Sequence, residues 1–345
     1  GAVMASFNRV SDTSMHAHKA LITDTLKVGM NFDGIVVSDW KGYSRFGKND
    51  IVNAGIDVIM AVDGDLEDFQ TGVKRGVETN TIPMSRIDDA VKRILRQKFR
   101  LGLFDNPFPD STLVAKIGIK AHRDVAKQAV RESLVLLKNE NKVLPLSKDT
   151  NKIVVVGEHA NSTGLQSGGW TINWQGTKES YKGATTILEG IKKHSKGDVV
   201  YDKDATQNHF DADVAIIIVG ETPYAEFFGD IGHESNTRKL ILTEEHQKYI
   251  KTYADKGVKT VVVLVSGRPL VVTDQIESSD AFIASWLIGS EGCGVAEVLF
   301  GDFNFSGKLP HSWPASIEDF KGKYGPNFWD NSIQPLYPFG FGLKF

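Results

Sequence analysis

Apolar residues along this chain keep two periods in turn, and their order predicts a repeated alternation of strand and helix. Ala2-Val3-Met4-Ala5-Ser6-Phe7 reads as a strand, and so does Ile35-Val36-Val37-Ser38. The latter has three consecutive apolar residues, the signature of a strand buried on both faces. Asp57-Val58-Ile59-Met60 reads as a third strand. Helical spacing marks residues 19–27, a short stretch over 51–54 that Gly55 stops, and residues 66–77 and 85–101. In the last of these Ser85 is placed to cap, Asp88 and Asp89 sit in the first turn, and Ile87, Val91, Ile94 and Leu95 line one face. Gly102 terminates it. This order belongs to a parallel sheet or barrel.

Asp105-Asn106-Pro107-Phe108-Pro109-Asp110 breaks the pattern and predicts a domain boundary. A helix over 122–137 and a linker-like stretch at 138–142 follow. Strands are then predicted at 153–156, 199–201, 214–219, 260–265 and 281–286, separated by helices such as 184–194 and 243–253. That is a doubly wound sheet, which binds ligands outside the carboxyl ends of its strands. The expected division is residues 1–108, a connection over 109–150, and residues 151–345.

Composition narrows the classes. The 345 residues are 41% hydrophobic and 24% charged, as in ordinary soluble globular proteins. A net charge of −3 gives no basic excess for nucleic acid. Cys293 stands alone, which excludes an internal disulfide. The longest apolar runs are too short to span a bilayer. Gly1-Ala2-Val3-Met4-Ala5 lacks the regions of a signal peptide, and since it does not open with Met the natural amino terminus is expected upstream.

Candidate chemistry lies where strands end. Asp39 and Trp40 follow the strand 35–38; a barrel of parallel strands carries its chemistry at that end, and a carboxylate beside an indole suits a sugar. An N-cap or turn role is the plainer reading of Asp39 on position alone. After the most apolar strand of the second half, residues 219–230 hold three acids and three aromatics. Glu226 is flanked there by Tyr224, Phe227 and Phe228, an apolar surround that would raise its pKa toward that of a general acid. Gly168-Gly169-Trp170-Thr171-Ile172-Asn173-Trp174-Gln175-Gly176 places two tryptophans in a glycine-bounded loop, which predicts a platform for a flat ligand or a pinned interface. Residues 154–161 lack the Gly-x-Gly-x-x-Gly spacing of a dinucleotide turn. His16 and His18 have no third ligand at metal spacing, so a surface or capping role is expected of them. Glu291, in Gly289-Ser290-Glu291-Gly292, reads as a capped helix start.

Taken together, these segments resemble the family 3 glycoside hydrolases, most of all their β-glucan exohydrolase and β-glucosidase branch. The matching stretches are Met4 to Phe7, Gly34 to Trp40, Met84 to Val91, Glu132 to Asn139, Gly168 to Gly176, Gly220 to Asp230, Ser266-Gly267-Arg268-Pro269, and 299–310, in the family order. The resemblance implies a fold: the carboxyl part of a (β/α)8 TIM-type barrel, about three βα units, followed by a flavodoxin-like α/β sandwich. It implies roles as well. Asp39 falls on the nucleophile and Glu226 on the acid/base. Trp40 and Trp174 fall on the pair clamping the sugar beyond the cleaved bond, with Trp170 close by. Arg45 falls on a contact to that same sugar. Phe7 stands where plant members have Tyr, so one hydroxyl contact is missing, and Arg268 is read as structural.

The implied reaction is retaining hydrolysis of β-glucan oligosaccharides or β-glucosides from the non-reducing end, by double displacement and without a cofactor. Family resemblance also implies a secreted or periplasmic setting. A full barrel takes roughly 250 residues, so the earlier strands, which in the family carry a Lys-His pair and contacts to the terminal glucose, are expected on the same or a companion chain. A non-catalytic carbohydrate-binding or assembly fragment is the rival reading. A hexosaminidase of the same family is disfavoured, because those members resemble one another in taking the acid/base from a barrel loop.

Overall fold

The computed structural model describes residues 1–231, 238–320 and 334–345. The chain divides into two compact units, Gly1–Val114 and Ala115–Phe345.

In the first unit β1 (Ala2–Met4) lies parallel to β4 (Ile35–Val37), with Val3 opposite Val36. A small hairpin, β2 (Arg9–Val10) and β3 (Thr13–Ser14), separates them. The predicted strand over 2–7 thus ends early, and the one at 57–60 is reduced to a single bridge between Val37 and Val58. Only Val36 of β4 is buried, so burial on both faces is not met: β4 pairs with one short strand and that one bridge. The helices are α1 (Gly42–Arg45), α2 (Asn49–Ala54), α3 (Asp65–Glu78) and α4 (Met84–Arg100), and residues Ala20–Gly29 wind as a π-helix. Ser85 does not cap α4; the helix starts one residue earlier behind Pro83, whose extended φ/ψ already sets the entry. Ile22, Val36, Tyr43, Ile51, Ile56 and Ile82 form the core. The Asp57 side chain, wholly buried, accepts from the Lys27 ammonium at 2.7 Å, from Arg86, and from the Val36 N–H at 2.8 Å. A buried carboxylate needs such pairing, and here it also fixes the register of β4.

The second unit is a six-stranded sheet. Its strands are β5 (Val135–Asn139), β6 (Lys152–Val156), β7 (Asp198–Asp202), β8 (Val214–Gly220), β9 (Lys259–Val265) and β10 (Ala281–Ala284), in the spatial order β5-β10-β9-β8-β6-β7. All pairs are parallel except β5 with β10. Helices α5 (Lys120–Ser133), α6 (Ile187–His194), α7 (Glu244–Ala254), α8 (Thr273–Glu277) and α9 (Gly292–Leu299) accompany it. The helix predicted to 137 stops at Ser133, and the stretch predicted as linker begins in a strand. An unbroken apolar run such as Val135-Leu136-Leu137 fits either periodicity, so only pairing with β10 decides. Two apolar cores cover the two faces of the sheet, one with Ile153, Val155, Ile216 and Val263, the other with Val154, Val156, Ile217 and Val262. Each fully buried Val or Ile contributes roughly 1.5–3 kcal/mol, which suits strands with no polar position. Thr186 and Glu189 form a reciprocal capping box on α6. Glu291 stands at the N-cap of α9 but makes no side-chain cap bond; buried, it pairs with Arg123 at 3.0 Å instead. Among the described residues, no helix is long and apolar enough to cross a membrane.

Candidate active site

Asp39 follows β4 directly. Its backbone N–H donates to His16 Nε2 at 2.8 Å, and its carboxylate Oδ1 accepts from the Trp40 N–H at 2.7 Å. Ser38, fully buried, donates its hydroxyl to the Asp39 carbonyl at 2.9 Å and accepts from the Met60 N–H at 2.8 Å. A Cβ on Gly42 would stand 2.6 Å from that of Ser38, so the turn into α1 closes only over glycine. Both sides of Asp39 are therefore held by hydrogen bonds, while its side chain is half-buried. Trp40 is exposed beside it.

His16 corrects the expectation of a surface histidine. It is fully buried and stacks on Phe46 with ring centroids 4.3 Å apart. Burial lowers its pKa below 6.5, against the opposing pull of Asp39. His18 does cap, accepting the Leu21 N–H on Nδ1 at 3.3 Å. Phe7 packs on Phe46 at 5.3 Å, and the exposed Arg45 guanidinium lies 5.4 Å from the Phe7 ring centre. The first unit thus brings Phe7, Asp39, Trp40 and Arg45 into one neighbourhood, with His16 beneath them.

In the second unit, β8 delivers Glu221 to the carboxyl edge of the sheet. Arg268 holds its carboxylate with two hydrogen bonds, at 3.0 and 2.7 Å, and Tyr224 Oη donates to it at 3.2 Å. Two guanidiniums lie over the Tyr224 ring, Arg238 at 4.7 Å and Arg268 at 4.6 Å from its centre. Burial first, and the Glu221 charge second, push its phenol up to about 12. Arg268 also donates to the Gly229 carbonyl, and Arg238 to the carbonyls of Thr222, Pro223 and Phe228. These charge-assisted bonds fasten the loop from 221 to 229 at both ends.

The tryptophan loop meets that loop edge to edge. Gln175 Oε1 accepts the Ala225 N–H at 3.0 Å, and a Cβ on Gly169 would come within 2.0 Å of the Tyr224 carbonyl oxygen. Trp174 packs edge-on against Phe227 at 5.9 Å and Phe228 at 5.6 Å, with Trp170 at 6.4 Å. Trp170 and Trp174 remain 69% and 40% exposed, so they are a surface and not a core. Non-glycine positive φ recurs here, at Trp170 (58°), Ile172 (66°) and Glu226 (51°). Strained backbone of this kind persists where the surroundings over-determine it, and it clusters at functional sites. Glu226 opens a 3-10 turn, and its side chain is exposed. The apolar enclosure expected from Tyr224, Phe227 and Phe228 is not made: Tyr224 turns to Glu221, and the two phenylalanines turn to Trp174.

Sequence reasoning missed His16, Glu221 and Gln175. Glu221 follows an apolar strand, Gln175 lies inside the tryptophan loop and His16 in a polar stretch near the amino end, and nothing local sets any of them apart. Each acts through a partner far away in the chain.

Both units match known proteins. The glycosyl hydrolase family 3 C-terminal domain matches residues 134–345, and the glycosyl hydrolase family 3 N terminal domain matches residues 1–97. A lysosomal beta glucosidase of Dictyostelium discoideum is 30% identical over the whole of this chain and 46% of its own length. A periplasmic beta-glucosidase of Salmonella typhimurium is 28% identical, over 100% of this chain and 52% of its own. Among solved structures, a mutant exo-1,3/1,4-beta-glucanase from a Pseudoalteromonas species superposes with a TM-score of 0.88 at 38% identity, covering 99% of this chain and 57% of that one. A Listeria innocua beta-glucosidase in complex with isofagomine gives 0.80 at 27%, covering 99% and 52%. The chain spans about half the length of the curated relatives it matches. By domain content and by structure, it belongs to glycosyl hydrolase family 3.

Proposed function

We propose that this chain is part of a retaining, exo-acting β-glucosidase or β-glucan glucohydrolase. Asp39 attacks the anomeric carbon while Glu226 protonates the departing oxygen; Glu226 then activates water against the glucosyl-enzyme. Trp40, Trp170, Trp174, Arg45 and Phe7 bind substrate. The observation that carries this reading is Asp39 itself, a carboxylate at the carboxyl end of a parallel strand whose N–H and carbonyl are both tied down. Relatives that are beta-glucosidases and a beta-glucanase support the substrate class. Those named lysosomal and periplasmic favour a secreted or periplasmic setting.

The test is Asp39→Asn, which should cut turnover by more than about 10³-fold in a folded protein. A fluorinated glucoside should label the peptide holding Val36 to Trp40. Near-normal turnover, or a label elsewhere, rejects the nucleophile. Glucan binding that never leads to hydrolysis by wild-type material would favour a carbohydrate-binding role, which the exposed indoles also suit.

We further propose that residues up to about 108 are the last units of a (β/α)8 barrel whose other strands come from the same or a companion polypeptide. All three residues of β1 are exposed, Val3 and Met4 among them, and α4 leaves Val91, Leu95 and Phe99 exposed. Such surface asks for cover. Native mass spectrometry of active material should find more than this chain; full activity from a 345-residue monomer would refute it.

A further inference from the structure

Strands β6 and β8 are neighbours, and the chain leaves β6 toward β7 on one side before returning to β8 on the other. That is the switch point of a doubly wound sheet, where a crevice opens beyond the strand ends. Gly157 makes the turn there at φ 98°, and a Cβ on it would come within 2.1 Å of the Ile218 carbonyl oxygen. Glu158 and His159 follow at once. His159 is completely buried, with Nε2 3.1 Å from the Glu221 carbonyl oxygen. A carbonyl only accepts, so Nε2 carries the proton and Nδ1 keeps its lone pair. That Nδ1 is buried with no hydrogen-bond partner.

His246, in the first turn of α7, is buried as well, and its Nδ1 is likewise unpartnered. The two imidazoles meet edge-on at 5.4 Å. Glu158, His159 and His246 each offer a donor atom within 4.8 Å of the other two. Orphaned buried polar atoms are costly, and two beside one carboxylate require a reason.

We propose that Glu158, His159 and His246 hold a divalent transition-metal ion of the zinc class. Two imidazoles and one carboxylate form a donor set that zinc takes with water as the fourth ligand, whereas calcium and magnesium seek oxygen. A metal-bound histidine commonly donates its other N–H to a carbonyl, as His159 does to Glu221. Burial lowers the pKa of both histidines, that of His159 to about 4, so protons do not compete for them at neutral pH. Zinc bonds of about 2.0–2.1 Å place tetrahedral donors roughly 3.3 Å apart, so binding would draw together the three donor atoms, which lie within 4.8 Å of one another. Lys178 and Lys203 stand 3.5 and 4.0 Å from the Glu158 carboxylate, but both side chains are more than half exposed and can return to water at little cost. Because Glu221 also anchors Arg268, the ion would brace the loop that carries Glu226.

The experiment is titration of the metal-free protein, purified with whatever polypeptide completes its first unit, with Zn2+ against a chromophoric chelator, with Co2+ as the spectroscopic probe. One equivalent should bind, Co2+ should show tetrahedral visible bands, and Zn2+ should raise the melting temperature. His246→Leu should abolish the Co2+ bands. Glu158→Gln, a change outside the core, should weaken Zn2+ at least about tenfold. Absence of stoichiometric binding overturns the site, and so does binding that Glu158→Gln leaves unchanged. If His246→Leu does not fold, the Glu158→Gln result decides.

Discussion

The Asp39 N–H donates to His16 Nε2 at 2.8 Å, so the backbone of the proposed nucleophile rests on a buried neutral imidazole. Protonation would turn that acceptor into a donor facing another donor. The pKa of His16 is lowered from 6.5, chiefly by burial. Between the two values the unfolded chain binds more protons than the folded one, so the contribution of His16 to stability is complete above 6.5 and is lost as pH falls toward the folded value. The protection factor of the Asp39 amide, its exchange rate measured against the intrinsic rate at the same pH, should therefore fall below pH 6.5. His16→Ala, which orphans the N–H, should cost about 1–3 kcal/mol and remove this pH dependence. A protection factor at Asp39 that stays constant across that window would disprove the coupling.

Glu226→Ala should slow β-glucosides with poor leaving groups by roughly 10²–10⁴-fold and activated aryl glucosides far less, since a good leaving group needs no proton. Azide should rescue the second step. Equal losses on both kinds of substrate, without rescue, would take the acid/base role away from Glu226.

Trp174 offers an exposed indole face braced by Phe227 and Phe228. Trp174→Ala should weaken processing of oligosaccharides by about 1–2 kcal/mol, the contribution of covering a sugar ring, while sparing release from a small aryl glucoside. Comparing kcat/KM for a trisaccharide and an aryl glucoside checks this. An equal fall for both would put the platform elsewhere.

Much of this was legible in the sequence because it is local. β4 is a run of apolar residues that stops at Ser38-Asp39, so the position of Asp39 at a strand end follows from composition alone. Strands β8 and β9 are apolar at nearly every position and could lie nowhere but the centre of a sheet. The glycines around Trp170 and Trp174 announced a loop, and a loop keeps its indoles near water.

Tertiary structure decided what no local pattern carries. Val135-Leu136-Leu137 suits helix or strand equally, and pairing with β10 chose the strand. His16 looks like any polar residue near the amino end until Phe46 and Asp39 close over it. Glu226 sits among aromatic residues in sequence, yet their rings turn toward Glu221 and Trp174, so its surroundings are set by side-chain packing and not by adjacency. His159 and His246 belong to different elements and share a space only because the sheet reverses its winding between β6 and β8. Periodicity reports which face of an element meets apolar matter. Which polar atoms then meet one another depends on contacts between distant segments, and those exist only once the chain has folded.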